Sequence, residues 1–329
     1  MGNKDQQVFR TVIQPTEYDF KLSYKSKSIF IGSCFSENIG NLLGKYKFTV
    51  DINPFGILFN PISIANCLNF LLRKRRFEEN DLVFHNEHWH SFYHHGRFSG
   101  TRKDEVIDSI NERIWNPIVD LSSADYLFIT FGTGWVYELR ETGVVVSNCH
   151  KFPNRLFTKK LISINETVDL YLKLFEDFFQ SNPSIQVLFS LSPVRHIKDG
   201  FQENSLSKSI LRVIIDELVK KYKNVHYFPA FEIVNDDLRD YRFYAEDMVH
   251  PNDSTILYIF NYFSNCFFDI ETEELLSRIK KIVKASEHIP YSIETESYKE
   301  FRHGILNDLQ MLSNKHSYID LKEEINRFK

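Results

Sequence analysis

Ser28-Ile29-Phe30-Ile31-Gly32-Ser33-Cys34-Phe35-Ser36-Glu37-Asn38 is an apolar run that stops at a glycine and hands a small nucleophilic side chain to the polar residues after it. Ile29 to Ile31 predict a buried strand, and Ser36-Glu37-Asn38 ahead of Ile39 and Leu42-Leu43 predicts the start of a helix. Strand, tight glycine turn, nucleophile and helix is the order in which open α/β enzymes present a reactive atom, because ligands bind beyond the carboxyl ends of the strands. A helix N-terminus also favours an anion, so a thiol at Cys34 is expected to ionise below its free value of roughly 8.5. The other reading of the same residue is a small buried hydrophobe, a role free cysteines often fill.

Outward from this unit the chain alternates strand and helix. Tyr46 to Val50 reads as a second strand, Asn60 caps and Pro61 opens a helix over Ile62 to Leu72, and Asp104 to Trp115 is helical by the spacing of Val106, Ile107, Ile110 and Ile114. Apolar runs follow at Tyr126–Phe131, Ile185–Leu191 and Val225–Phe228, separated by helical faces built on Val168, Tyr171, Leu172, Phe175, Phe179 and on Leu211, Ile214, Ile215, Leu218. Continuous apolar strands between helices mean a parallel sheet covered on both faces. Phe84–Phe98 and Val136–Val146 read as inserted hairpins and Val8–Ile13 as an edge strand. From Thr255 the pattern is helical, with a break at Pro290-Tyr291. The expected organisation is an α/β domain over 1–269 with an α-helical appendage over 270–329 packed on it.

Composition narrows the function. The 329 residues are 43% hydrophobic and include 30 Phe and 16 Tyr, enough for a large core, and the formal net charge is -4. Such a balance lacks the basic footprint of a nucleic-acid or membrane-surface binder. Arg73-Lys74-Arg75-Arg76 reads as the end of a helix, no apolar segment is long enough to span a bilayer, Met1 to Gln7 is too polar for a signal peptide, and Gln6 stands where myristoylation after Gly2 prefers Ser or Thr. Four widely spaced cysteines, Cys34, Cys67, Cys149 and Cys266, point to reduced thiols in a cytoplasm. Gly100-Thr101-Arg102-Lys103 lacks the spacing of a phosphate loop. No cofactor is expected, the expected partner is a small-molecule or carbohydrate acyl substrate, and nothing assigns an oligomeric state.

The second piece of chemistry is Ala245-Glu246-Asp247-Met248-Val249-His250-Pro251-Asn252. An Asp three residues before a His in a loop can turn its carboxylate onto one imidazole nitrogen and leave the other free as a base. Pro251 holds His250 in an extended backbone. Arg195 and His196 directly follow the fourth strand; Arg195 contacts an anionic or oxygen-rich substrate or pairs with an acidic loop residue such as Asp199 or Asp240. Cys149 and His150, adjacent on an extended chain, point to opposite faces and suit a lid or structural role. His85, His88, His90, His94 and His95 include one same-face pair, His88 and His90, but no carboxylate or cysteine completes a zinc spacing; a pocket wall or solvated hairpin is the simpler reading, and no metal is assigned.

Gly32-Ser33-Cys34-Phe35-Ser36 resembles the signature of the GSCFA family, placed among the SGNH (GDSL-type) hydrolase-like proteins. The resemblance extends to Asn53-Pro54-Phe55-Gly56, Ser147-Asn148-Cys149-His150-Lys151, Ser192-Pro193-Val194-Arg195-His196 and the block from Asp240 to Pro251, covering most of residues 28 to 255. It implies a flavodoxin-like three-layer sandwich with a five-stranded parallel sheet and a nucleophile-His-Asp triad. Asp247 then orients, His250 is the base and the nucleophile is Ser33 or Cys34; alignment with Gly-Asp-Ser selects Cys34 and puts Ser33 at the Asp position. Where the superfamily has Gly-x-Asn, with an amide for the oxyanion, this chain has Gly132-Thr133-Gly134. The backbone N–H groups of Cys34 and Gly56 are the replacement candidates, with Gly132, Thr133, Arg195 and His196 as further oxyanion or substrate contacts. The implied activity is an ester or thioester hydrolase or an acyltransferase, with a catalytically weak ligand-binding module as the alternative.

Overall fold

The computed structural model describes residues 10–116, 119–288 and 294–329. Its centre is a sheet of five parallel strands: β1 (Lys27–Gly32), β2 (Thr49–Ile52), and three further strands at Tyr126–Phe131, Gln186–Leu191 and Val225–Phe228. In space the second strand lies at one edge beside β1, and the other three follow on β1's far side in chain order. That is the flavodoxin-like order, with its switch point beside β1.

Alternation along each strand explains the layers. Ile29, Ile31, Leu127, Ile129, Phe131, Val187 and Phe189 join one apolar cluster, whereas Phe30, Tyr126, Phe128 and Leu188 join the other. Because both faces are covered, the middles of these strands are apolar or buried, and the polar positions that reach solvent, such as Lys27, lie at strand ends. The first cluster is roofed by α2 (Pro61–Leu72), α3 (Lys103–Ile114), α4 (Ile164–Ser181) and α5 (Phe201–Lys221). The second lies under α1 (Cys34–Lys45), the short α6 (Ala230–Glu232) with its π-helical continuation to Leu238, α7 (Asp253–Phe267) and α8 (Ile270–Glu287). Leu309 and Leu312 of α9 (Glu296–Lys315) and Phe328 of α10 (Lys322–Phe328) enter the same cluster, so the helical tail shares the core of the α/β unit.

Several boundaries differ from expectation for identifiable reasons. α1 starts at Cys34, two residues before Ser36, because Ser33 takes the extended N-cap conformation and its carbonyl accepts from Glu37 N at 3.3 Å. Tyr46 and Lys47 belong to the helix exit, where Lys47 adopts φ 68° and the N–H groups of Lys47 and Phe48 close on Gly44 and Leu43, so β2 begins only at Thr49. The first insertion is a short hairpin, β3 (Val83–His85) and β4 (His88–His90), turned by Asn86 and Glu87, both left-handed. With β5 (Tyr126–Phe131) counted in the main sheet, the second insertion has three strands: β6 (Trp135–Leu139) between β7 (Val145–Val146) and β8 (Phe157–Leu161). The last two main-sheet strands are β9 (Gln186–Leu191) and β10 (Val225–Phe228). No strand forms over 10–13; Val8, Phe9, Pro290 and Tyr291 lie outside the described residues.

Candidate active site

The carboxyl end of β1 is built for close approach. Gly32 has φ 143°, and a Cβ there would stand 2.3 Å from the Thr130 carbonyl oxygen of β5, so only glycine fits. Its N–H donates to Asn53 Oδ1 at 2.8 Å and its carbonyl accepts from Leu58 N at 3.0 Å. The next two residues have opposite environments. Ser33 is 0% exposed and its Oγ has no partner among the described residues, whereas Cys34, the first residue of α1, is partly exposed.

Position alone does not make the Cys34 thiol acidic. Burial pushes it up from its ordinary value, and the opposing pull of the Phe35 and Cys34 backbone N–H groups at the helix start is weaker. Glu37 also raises it and Lys208 lowers it. The expected depression by the helix N-terminus is thus overturned by desolvation. Gly56 changes role as well: its N–H, expected at the oxyanion, donates to the Asn53 carbonyl at 2.7 Å.

The second half of the site is a tight turn after α6. Asp247 Oδ2 accepts from His250 Nδ1 at 2.7 Å, and Oδ1 accepts the backbone N–H groups of Val249 and His250 at 2.9 and 3.0 Å. Those bonds, the His250 N–H first, hold the Asp247 carboxyl down at about 2. His250 Nε2 is left without a hydrogen-bond partner among the described residues. The turn is tied to the sheet through Arg195 N, which donates to Val249 O at 3.2 Å just beyond the end of β9. Cys34 and His250 share no hydrogen bond; the charge of Lys208 acts on both Cys34 and His196, and His196 also feels His250.

Arg195 pairs with neither predicted carboxylate. Asp199 is bound by Lys159, and Asp240 by Arg242 at 2.9 Å. The Arg195 guanidinium instead lies 4.9 Å from the Tyr244 ring centroid and 5.5 Å from those of Phe201 and Tyr241. His196 meets the Phe59 ring in a T-shaped contact, burial pushes it down to about 4, and its Nε2 is buried beside Gly132 without a partner among the described residues. Gly132 and Thr133 are fixed by N–H bonds to Phe59 O at 2.8 and 2.9 Å. His196 and Thr133 face a pocket of about 330 Å3 whose wall includes Phe59, Trp135, Asn148 and Cys149.

Of the remaining motifs, Cys149 lines this pocket, and the histidines pack among themselves and against neighbouring aromatics. His150 and Lys151 are left-handed at φ 46° and 60°, so Cys149-His150 is a turn rather than an extended pair. His150 Nε2 contacts the Ser91 carbonyl at 2.8 Å and its ring stacks on His90. His90 also meets Ser99 Oγ, His94 is buried against Ser91 and Phe55, His85 stacks on Phe152, and His95 covers Gly56, while His88 bonds the Asn86 carbonyl. Among the described residues no group of three or more His, Cys, Asp or Glu is placed to hold a metal ion. The sequence assigns no role to two contributors: Asn53, which lies in the Asn53-Pro54-Phe55-Gly56 block and braces Gly32, and Lys208, which lies in no motif and reaches the carboxyl edge of the sheet from α5.

No curated protein matches the chain. Among solved structures, a family 3 carbohydrate esterase from Clostridium thermocellum aligns at 12% identity over 77% of this chain and 98% of its own, with a TM-score of 0.35. A carbohydrate esterase family 3 from Talaromyces cellulolyticus aligns at 9% identity over the same 77% and 98%, also with a TM-score of 0.35. A profile described as GSCFA domain protein, C-terminal domain, matches residues 279–329. The GSCFA family profile matches residues 27–263, and the chain belongs to the GSCFA family.

Proposed function

We propose that the chain is an acyl-transferring enzyme of the SGNH (GDSL-type) hydrolase-like kind, which hydrolyses an ester or thioester or passes its acyl group to a hydroxyl. Cys34 is the nucleophile, His250 the base and Asp247 the residue that orients the base. The observation that carries this reading is the 2.7 Å contact between Asp247 Oδ2 and His250 Nδ1, which fixes the Nδ1–H tautomer and keeps a lone pair on Nε2. Exposure supports Cys34 over Ser33, since the serine is wholly covered.

In this mechanism Nε2 takes the Cys34 proton and the sulfur attacks the acyl carbonyl. The tetrahedral oxyanion collapses as His250 gives that proton to the departing alkoxide or thiolate, leaving an acyl thioester on Cys34. Water or an acceptor hydroxyl then yields its proton to His250, attacks the thioester, and frees the thiol. The N–H groups of Cys34 and Phe35, at the start of α1, face the sulfur and are the oxyanion donors at hand. The substrate class is acylated carbohydrate: the Phe59, Trp135, Thr133 and Asn148 lining joins aromatic faces to hydroxyl and amide groups, which suits a ring with apolar faces and a polar rim. The net charge of -4 gives no footprint for nucleic acid, and no helix among the described residues is long and apolar enough to cross a membrane.

A second reading, a ligand-binding module on the same fold, draws support from the raised Cys34 thiol, the engaged Gly56 N–H and the Gly132-Thr133-Gly134 block. Turnover of p-nitrophenyl acetate and of acetylated oligosaccharides by wild type, Cys34→Ala, Ser33→Ala and His250→Ala separates the two. Cys34→Ala and His250→Ala are expected to lose at least about a thousandfold in kcat, with Ser33→Ala close to wild type. Activity that survives Cys34→Ala and dies with Ser33→Ala moves the nucleophile to Ser33. Saturable oligosaccharide binding without turnover in any protein establishes the binding module.

A further inference from the structure

α5 carries Lys208 into the interior below the site, where it is 3% exposed. Its Nζ donates to the carbonyls of Gly132 and Ser192, each at 2.7 Å. These residues follow β5 and β9, so the ammonium is pinned at the carboxyl edge of the sheet, next to the end of β1. An ammonium has three N–H bonds to place, and carbonyls absorb two of them without neutralising the charge. No carboxylate pairs with Lys208 among the described residues, and a buried cation without an opposite charge is costly.

The charged and titratable groups around it are few. From α1 comes Cys34; Glu37, which acts on Cys34, is held by Arg97 at 3.0 Å. From the segment after β9 comes His196, with Asp199 and the His250 ring beyond it. Of these, the Cys34 sulfur is the group whose charge acts on Lys208.

We infer that Lys208 is the counter-charge of the Cys34 thiolate, an ammonium fixed by two strand-end carbonyls so that sulfur can lose its proton in a desolvated site. The inference rests on Cys34 being the nucleophile. The thiol proton goes to His250 Nε2 and Lys208 keeps its own three, so it is a positioning residue that touches neither substrate nor the transferred proton. Each partner favours the other's charged form: Lys208 pulls the Cys34 thiol down against burial, and Cys34 pulls Lys208 up against burial, the balance leaving Lys208 at about 7, so the ammonium is charged below neutral pH.

The test is iodoacetamide alkylation of the full chain at pH values on both sides of neutral, with mass-spectrometric readout at Cys34 and, as an internal reference, at the partly exposed Cys149. Lys208→Gln keeps an N–H donor for the two carbonyls and removes the charge; Lys208→Arg keeps the charge. Wild-type Cys34 is expected to react faster than Cys149. Lys208→Gln should slow Cys34 about tenfold near pH 6.5, where the ammonium still carries its charge, while Cys149 stays put and Lys208→Arg recovers part of the rate. A Cys34 profile unmoved by Lys208→Gln, or an equal movement of Cys149, overturns the inference. A measurement that leaves Lys208 in place covers a variant that does not fold: in Cys34→Ala, 15N NMR of the Lys208 ammonium should show it titrating at lower pH than in wild type, and an unchanged titration overturns the inference too. Wild-type Cys34 no faster than Cys149 defeats the nucleophile assignment and this inference together; a fast Cys34 indifferent to Lys208 defeats this inference alone.

Discussion

Asp247 grips His250 twice, once at the ring through Oδ2 and Nδ1 and once at the backbone through Oδ1 and the His250 N–H. The two grips can be separated. In Asp247→Asn the amide oxygen can still accept the Val249 and His250 N–H bonds, so the turn survives. The amide N–H now faces Nδ1, however, and the ring must carry its proton on Nε2, where it can no longer act as a base. The expected result is a kcat lower by roughly a thousandfold to ten-thousandfold with a nearly unchanged Tm. A kcat within about threefold of wild type would show that the carboxylate does not orient the base. Because the carboxyl titrates near 2, the same assay run above about pH 4 should show no acid limb belonging to Asp247.

Acid should unfold this protein through its interior histidines. Burial pushes His94 down to about 3 and His150 and His196 down to about 4, so all three are neutral in the native state at pH 6. In the unfolded chain they titrate near 6.5. Between that value and their folded ones the unfolded state binds more protons, so stability rises with pH across this window and is lost on acidification from about 6.5 toward 4. Each pKa unit separating folded from unfolded histidine is worth about 1.4 kcal/mol. Urea midpoints measured at pH 7, 6 and 5 should therefore fall by an amount worth several kcal/mol. His94→Phe, which retains the stack on Phe55, should flatten the slope. A midpoint constant over this range contradicts the burial of all three rings as neutral groups.

Legibility in the sequence tracks where water is. Ile29–Ile31, Tyr126–Phe131 and Gln186–Leu191 are covered on both faces, so their apolar runs announce themselves without any knowledge of neighbours. β2 is an edge strand with Asp51 in it, and what makes that aspartate tolerable is Arg113, 62 residues away, which no local pattern displays. Lys208 leaves a trace in the sequence, for it stands three, seven and ten positions before Leu211, Ile215 and Leu218, in the apolar stripe of α5. Its partners are backbone carbonyls on two other strands, and the carbonyl of any residue looks the same in a sequence. The acidity of the Cys34 thiol is misread from sequence for a related reason: a helix start is local and readable, whereas the desolvation that outweighs it comes from the whole fold.

Gly32→Ala tests the close approach that presents Cys34. The added Cβ meets the Thr130 carbonyl at 2.3 Å, and φ 143° is itself unfavourable for any L side chain. Relief requires β1 to part from β5, which also strains the Ser33 N to Thr130 O bond of 3.3 Å. The expected loss is about 2–4 kcal/mol of stability, with slower alkylation of Cys34 in whatever folds. Wild-type stability and kcat in this variant would mean the β1 turn is looser than its contacts indicate.

Arg113 and Asp51 offer a test of the scaffold that leaves the site's own groups untouched. Arg113 Nη1 and Nη2 reach the two Asp51 oxygens at 2.6 and 2.8 Å, and Nη2 also donates to the Ile52 carbonyl at 3.0 Å, so one side chain neutralises β2 and supplies a donor to its exit. Asp51 is buried and lies opposite Ile29 in the register that carries β1 toward Gly32. Arg113→Leu leaves the carboxylate desolvated and alone, and should cost about 3–5 kcal/mol in a urea titration. Adding Asp51→Asn removes the stranded charge, so the double variant should be more stable than Arg113→Leu itself, with a coupling of about 1–3 kcal/mol. Simple additivity of the two changes would mean that the aspartate finds water when its partner is gone, and that the edge of this sheet is wetter than the packing of α3 against it implies.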